Sequence, residues 1–516
     1  MNENIINPDN RTFTIEQFDA DIKSMVKPSF MTHSDVLNIL INDVSPIDFL
    51  ETAYPEIIDL KLRLKNALSE DDKKEIVAII RQYKITERQK YVIIIEALLE
   101  CATYRQWGIC KNAAFIYLFN GAYWSVLNKE ILQKFLGDCA ERMTMPKYNA
   151  RQYSIREHLF KQFLVTGFQP MPDCNDKILV NLANGTFEIN GNGKGFLRPF
   201  DKSDFLKYQL PFDYNPNAVC PIFQNYLDVS LPDKSAQNVL AEFIGCVFAP
   251  HLKLEKALIL YGDGRNGKSV FFDIISALLG SQNISSYSID ALCEPSGYYR
   301  AMIANKLLNY SSEFGNKIEA DRFKQLCSGE QTEARLPYGD PFLITNYAKL
   351  AFNCNTLPKD TEMTLAFFAR FLIIPFSVTI PPERQDIELA KKIITNELSG
   401  VFNWVLAGLD RIIRQKGFSR CDVVQKELDR YRKESDSVEM FIEESDYQTS
   451  NHNNKPLMQL YSEYRSYCNE AGNRPCGRNT FSQRLSKKGF NVIKGAGARI
   501  VYIEHANIVN ENDSPY

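Results

Sequence analysis

Between residues 257 and 280 the chain passes from a short apolar run, Ala257-Leu-Ile-Leu-Tyr261, through a glycine-rich loop into a second apolar run, Val270 to Leu279, ending at Gly280. The first run has the length of a buried strand and the second that of a helix. The loop reads Gly262-Asp263-Gly264-Arg265-Asn266-Gly267-Lys268-Ser269, a complete G-x-x-x-x-G-K-S pattern. Glycines in such a loop let successive backbone N–H groups curl around a phosphate at the positive end of the following helix. Lys268 is then expected to reach the β- and γ-phosphates of a nucleotide, and the Ser269 hydroxyl to ligate Mg²⁺.

A phosphate loop alone is compatible with a small-molecule kinase, a GTPase or a motor, and the residues behind it discriminate. Asn305 to Glu313 reads as a second strand ending in a carboxylate, where an ATPase needs a base to orient the attacking water. Leu350 to Asn355 reads as a third strand, ending in an amide able to hold the γ-phosphate or that water. Phe367-Phe-Ala-Arg370 then precedes a fourth, Phe371 to Phe376, with Arg370 at its mouth.

The rest of the chain bounds the possibilities. A length of 516 residues implies several domains, and 45% hydrophobic with 24% charged residues is ordinary for a globular protein. With a net charge of −3 there is no global field for nucleic acid, so any such site must be a local basic patch. Twelve cysteines lack a Cys-x-x-Cys pair and have five histidines for company, which argues for buried apolar thiols in a reducing compartment and against zinc. No signal peptide and no apolar run of membrane-spanning length is evident, so the expected location is cytoplasmic.

Residues 1–100 read as helical, with capping-box patterns at Ser69 to Asp72 and at Thr86 with Gln89. Residues 101–205 read as a mixed α/β domain with hairpins turning at Asn120-Gly121 and at Ala183-Asn184-Gly185. Gly191 to Gly195 is a turn-rich loop with no helix behind it, hence a poor phosphate site. A helical collar is expected over 206–256, the ATPase domain over 257–410, and a helical segment over 411–454 with a linker from Asp446 to Pro456. A basic module follows over 455–510; between 455 and 504 it has nine Lys and Arg against three Glu. Its helices and glycine-tipped hairpin have the plan of a winged helix, with Arg478, Arg484, Lys487 and Lys488 on the groove-facing helix and Lys494 and Arg499 on the wing.

The ordered set of motifs resembles superfamily 3 DNA helicases, in the primase–helicase branch of phages, plasmids and poxviruses. The matching stretches are Gly262 to Ser269, Ser312-Glu313, Phe323 to Glu330, Phe352 to Pro358, and Arg370 through Phe376. Upstream, Asn120 to Trp124, Asn184 to Phe187 and Pro211 to Pro216 resemble the domain that precedes the motor there. The resemblance implies a multidomain α/β protein with a P-loop AAA+-like ATPase core, a helical N-terminal region and a C-terminal winged helix. It implies a homohexameric ring that binds ATP with Mg²⁺ between subunits and acts on single-stranded and forked DNA; origin DNA, a polymerase or a primase are further expected partners. Carried over, Lys268 and Ser269 hold phosphate and metal, Glu313 is the catalytic carboxylate, Asn355 the sensor and Arg370 a finger offered to a neighbour's ATP. Two departures stand out. Ser312 replaces an acidic residue of the magnesium-binding pair, and the loop expected to line the pore, Arg335-Leu-Pro-Tyr338-Gly-Asp-Pro341, has no lysine at its tip, leaving Arg335 and Tyr338 to meet DNA. Residues 1–100 carry no polymerase-type carboxylate triad, so primer synthesis is not expected. An origin-melting initiator, a small-substrate phosphotransferase and a slow ATP-bound DNA switch remain the alternatives.

Overall fold

The computed structural model describes residues 31–170, 177–190, 195–315, 318–337, 339–358, 364–494 and 498–506, together with the backbone of 5–6 and 12–13. The chain divides into two compact units, 1–190 with 195–210 and 191–194 with 211–516. No helix among the described residues is long and apolar enough to cross a membrane.

The first unit joins what the sequence suggested were two regions. Helix His33–Asp43 buries Val36, Leu37 and Leu40, and helix Glu87–Tyr104 buries Tyr91, Ile94, Ile95 and Leu98. These side chains share one core with Leu132, Phe135 and Leu136 of helix Lys129–Arg142 and with Phe160 and Phe163 of helix Tyr153–Thr166. A boundary at residue 100 would cut through this core. Thr86 and Gln89 form the reciprocal capping box, whereas Ser69 caps only the Asp71 N–H. Two three-stranded antiparallel sheets complete the unit: Gly108–Asn112, Phe115–Phe119 and Trp124–Val126, then Ile178–Leu182, Gly185–Ile189 and Gly195–Arg198. In the first, the Asn120 side chain accepts from the N–H groups of Ala122 and Tyr123 while Gly121 takes φ +95°, so the Asn-Gly signal marks a real turn. Residues 191–194 of the turn-rich loop lie outside the described residues.

The second unit is organised around a five-stranded parallel sheet. Its strands are β1 Ala257–Tyr261, β2 Ile284–Ser285, β3 Leu308–Ser311, β4 Lys349–Cys354 and β5 Phe371–Pro375, in the spatial order β2-β3-β4-β1-β5. Near-continuous apolar strands are what a sheet covered on both faces requires. On one face Ala257 and Ile259 pack with Phe314, Phe323, Phe352 and Phe371. β2, a two-residue edge strand, went unread because two residues carry no periodicity. Helices Lys234–Cys246 and Leu398–Gln415, from before and after the sheet, lie against each other. Gly408 permits the approach, since a Cβ there would sit 2.4 Å from the Ala241 carbonyl carbon. Glu242, fully buried, accepts from Arg411 Nε at 3.0 Å and from the Ser419 N–H at 2.8 Å, closing that pair.

A hairpin, Thr332–Arg335 with Pro341–Ile344, projects between the helix Ala320–Ser328 and β4. Arg300, 1% exposed, holds its base: Nε donates to the Glu333 carbonyl at 2.7 Å and Nη1 to those of Leu292 and Glu294 at 3.0 and 2.5 Å. Charge-assisted bonds of this kind contribute roughly 1.5–3 kcal/mol each, and unsatisfied buried carbonyls are costly. Arg300→Met is therefore expected to destabilise the protein by about 3 kcal/mol, read as a lower urea midpoint with an unchanged slope. A midpoint equal to the parent's would show that the carbonyls find other partners.

The end of the chain departs from expectation. Tyr447–Pro456 is a strand, bulged between Thr449 and Asn454 and paired with Arg499–His505. It is not a linker. Its Asn- and Ser-rich face is an exposed sheet edge, where polar residues are ordinary. The module also starts earlier than residue 455: helix Ser437–Glu444 puts Val438, Phe441 and Ile442 into one core with Leu460, Tyr464, Phe481 and Val501. The order is helix, strand, helix Leu457–Glu470, helix Arg478–Lys487, then strands Val492–Lys494 and Arg499–His505 in a three-stranded antiparallel sheet.

Candidate nucleotide site and strand-end residues

The loop 262–269 leaves the C-terminal end of β1 and enters helix Lys268–Leu279. Gly262, Gly264, Arg265 and Gly267 all have positive φ, at +153°, +78°, +53° and +91°. At two of these positions space as well as φ demands glycine. A Cβ on Gly262 would lie 2.3 Å from the Phe376 carbonyl oxygen, and one on Gly267 would lie 2.6 Å from Ser230 Oγ. Gly264 faces open space, with nothing within 4 Å of its Cβ position. The backbone thus curls against protein on one side and is free on the other, as a phosphate cradle requires.

Lys268 is 6% exposed, and its Nζ donates to the Gly262 carbonyl at 2.5 Å and to Asn266 Oδ1 at 3.2 Å. Burial lowers its pKa from the ordinary lysine value, while Asp263 and Cys354 act in the opposite direction. The ammonium is therefore incompletely compensated by neutral oxygens, and an anion in the loop would complete it. Asn266 is locked from the other side, donating Nδ2 to the Phe376 carbonyl at 2.8 Å. Ser269 sits exposed on the first helical turn, as do Asp263 and Arg265 in the loop.

Because β3, β4 and β1 are adjacent and parallel, their C-terminal ends lie side by side. Ser311 pairs with Phe352 and Cys354 with Tyr261. Glu313 follows β3 by two residues, and Asn355 follows β4 directly; both are exposed. The carboxylate, the amide and the loop with Lys268 and Ser269 thus belong to one end of the sheet, the end where ligands bind in open parallel α/β sheets. Exposed Ser312 brings no carboxylate there. No group of three or more His, Cys, Asp and Glu among the described residues could hold a metal. Mg²⁺ would rely on the Ser269 hydroxyl, with phosphate oxygens and water.

Arg370 is at the other end. Its carbonyl accepts from the N–H of Ala257, the first residue of β1, at 2.8 Å. The five residues of β1 separate it from the loop, roughly 15 Å at about 3.3 Å per residue. Its guanidinium pairs with Glu255 at 2.9 Å and donates to Ser328 Oγ and the Ala366 carbonyl, both at 3.2 Å. Lys256, half-buried beside it, donates to the Ala369 carbonyl at 2.6 Å, and its pKa is lowered by burial and by Arg370.

The residues expected to meet DNA divide. Arg335 is exposed but donates Nε to the Gly339 carbonyl at 2.9 Å, closing the hairpin tip, and Tyr338 lies outside the described residues. Arg478, Lys487, Lys494 and Arg499 are exposed. Arg484 and Lys488, expected on the same face, turn inward: Arg484 reaches Asp436 at 3.4 Å, and Lys488 reaches Asp436 at 3.1 Å and Glu439 at 2.6 Å. They tie the basic helix to helix Ser437–Glu444.

Several contributors carry no motif. Tyr226 donates its hydroxyl to the Gly267 carbonyl at 2.8 Å, and Ser230, one turn on, covers the same glycine. The Ile380 N–H donates to the Arg265 carbonyl at 2.8 Å, so the segment after β5 runs along the loop. Arg430 stacks over the Tyr261 ring at 5.1 Å. Tyr226 lies on the buried face of helix Pro221–Ser230, and only the tertiary fold brings it to the loop.

Three stretches match known families: residues 97–232 the D5 N terminal like family, 260–366 a family of unknown function (DUF5906), and 433–504 the Poxvirus D5 protein-like family. The first and third, before and after the sheet in sequence, fit a D5-like family of phages and poxviruses. Among solved structures, the A form apo structure of the NrS-1 C terminal region is 15% identical, with 78% of this chain and 97% of that chain covered at a TM-score of 0.43. The apo structure of the NrS-1 C terminal region (305–718) is 13% identical, with 80% and 99% covered at the same TM-score.

Proposed function

We propose that the chain is an ATP-dependent DNA helicase of a phage or mobile element, working as a homohexameric ring with ATP hydrolysed between subunits. One observation carries this reading. Lys268, Ser269, Glu313 and Asn355 belong to one end of the sheet, while Arg370 is fixed by backbone pairing at the other. No movement short of unfolding brings Arg370 to its own loop, so an active site that uses it takes it from a second copy.

The division of labour follows. Lys268 and the loop N–H groups would hold the β- and γ-phosphates, and Asn355 would fix the orientation of the γ-phosphate or the water. Glu313 would accept the proton of that water as it attacks, and Arg370 of the neighbour would stabilise the charge that develops on the transferred group. Mg²⁺, when bound, supplies charge neutralisation between the phosphates. The sheet order β2-β3-β4-β1-β5, with the phosphate loop on a strand between β4 and β5, supports a P-loop AAA+-like core. The helix–strand–helix–helix–two-strand order of the last module supports a winged helix. Arg478 and Lys487 on its helix and Lys494 and Arg499 on its wing then form the DNA face. The D5-like matches favour a replication role.

Strand displacement on forked DNA with ATP and Mg²⁺ tests the proposal, with Glu313→Gln as the informative variant. The amide keeps shape but is no base, so turnover and unwinding should fall at least about a hundredfold while ATP binding persists. Loss of binding together with turnover would make Glu313 structural. Unwinding at parental rates would remove it from the mechanism.

A further inference from the structure

The first unit holds a cavity of about 710 Å³ that the motor reading does not use. It opens where helix Glu87–Tyr104 ends and the first sheet begins. After that helix Gln106 takes φ +64°, a left-handed turn common behind a helix C-cap, and Trp107 follows on the cavity wall. Trp107 is half-buried, packed on one side against the core of the unit, and Gly121 at the Asn-Gly turn adjoins its ring edge, a Cβ there standing 3.7 Å from Cζ3.

Trp124, 2% exposed, is the floor. Gly108 lies directly on its ring, since a Cβ at 108 would come within 2.3 Å of Cη2. Its indole N–H donates to the Lys202 carbonyl at 2.9 Å and so fixes the short turn that carries Lys202. The Lys202 ammonium in turn donates to the Trp107 main-chain carbonyl at 3.2 Å, which ties a cation to the backbone of the residue on the wall. Of the lining residues only Asp201 is acidic, and it is already engaged, accepting from the Ser203 N–H at 2.8 Å and Oγ at 2.7 Å. Exposed Gln106 and Gln169 add amide donors and acceptors at the rim.

A half-buried indole on the wall, an ammonium lining the same cavity and bonded to a neutral carbonyl, and amides at the rim match a flat heteroaromatic ring that carries an anionic group. Aromatic stacking beside a cation is how proteins hold unpaired bases, and the volume suits a nucleotide. We propose that this cavity binds the base of a nucleotide on Trp107 with its phosphate at Lys202, the nucleotide belonging either to a single strand or to the free pool.

The chain has three tryptophans, and in a Trp404→Phe background the remaining two both line the cavity, so their fluorescence reports on this site alone. The full-length protein is titrated with a ten-residue oligothymidylate, with dAMP and with inorganic phosphate. Saturable quenching by the oligomer is expected, weakened about tenfold by Lys202→Gln and by a similar factor in Trp107→Leu, where Trp124 still reports. Quenching by dAMP as well identifies the free nucleotide as sufficient; quenching by the oligomer alone identifies the strand. Absence of quenching by both overturns the proposal, as does phosphate acting as strongly as dAMP, or Lys202→Gln binding like the parent with an unchanged circular dichroism spectrum. None of these readouts depends on ATP turnover, so this site and the motor stand or fall separately.

Discussion

Lys268→Ala is expected to lower ATP turnover by about a thousandfold, because it removes the cation aimed at the charge of the transferring phosphate. The fold should not suffer. Lys268 is buried against two neutral oxygens, and burial has lowered its pKa, so the folded state already disfavours its charge. A lysine pKa lowered by folding means that the unfolded chain binds the proton more tightly, and stability rises with pH between the folded and unfolded values. The alanine variant lacks that penalty but also leaves the Gly262 carbonyl and Asn266 Oδ1 without their donor, so its unfolding without nucleotide should stay within a few degrees of the parent's. Thermal unfolding and steady-state phosphate release, measured together, check both halves. A variant that turns over ATP normally would contradict the assignment of the loop; one that unfolds early would give Lys268 a structural part.

Arg370→Ala should be nearly as severe, by about a thousandfold, since a finger arginine stabilises charge that appears only in the transition state. ATP binding should persist. A structural explanation must be separated, because Arg370 also pairs with Glu255 and Ser328. Glu255→Gln keeps the shape and removes the pairing charge. If Arg370 acts on a neighbour's nucleotide, Glu255→Gln leaves turnover within a few-fold of the parent. If Arg370 serves only to hold Glu255, both variants lose the same activity.

The site was legible where chemistry and local structure coincide. Loop 262–269 needs glycine at fixed positions, and β1, β5 and much of β4 are apolar runs because both faces of the sheet are covered. Glu313, Asn355 and Arg370 follow from their positions at strand ends. What stayed hidden depends on tertiary pairing. The pattern of Arg478 to Lys488 is basic throughout, and nothing local says that Arg484 and Lys488 will be claimed by Asp436 and Glu439, roughly fifty residues upstream. Tyr447–Pro456 is polar like a linker because it forms an edge, and its strand character comes from Arg499–His505. The end of the sheet that receives Arg370 was likewise invisible: the residue precedes its strand in sequence, but only parallel pairing with β1 puts it opposite the loop.

That separation is what a mixing experiment measures. Arg370→Ala and Glu313→Gln subunits, each nearly inactive alone, are dissociated, combined and reassembled, with mixed assemblies verified by native mass. In a ring whose sites draw Glu313 from one subunit and Arg370 from the next, some junctions of the mixture hold both intact residues. ATPase activity should then rise well above the sum of the two variants, peaking near equal proportions. Activity that stays at that sum in proven mixed assemblies would put Arg370 outside a shared active site and contradict the ring mechanism.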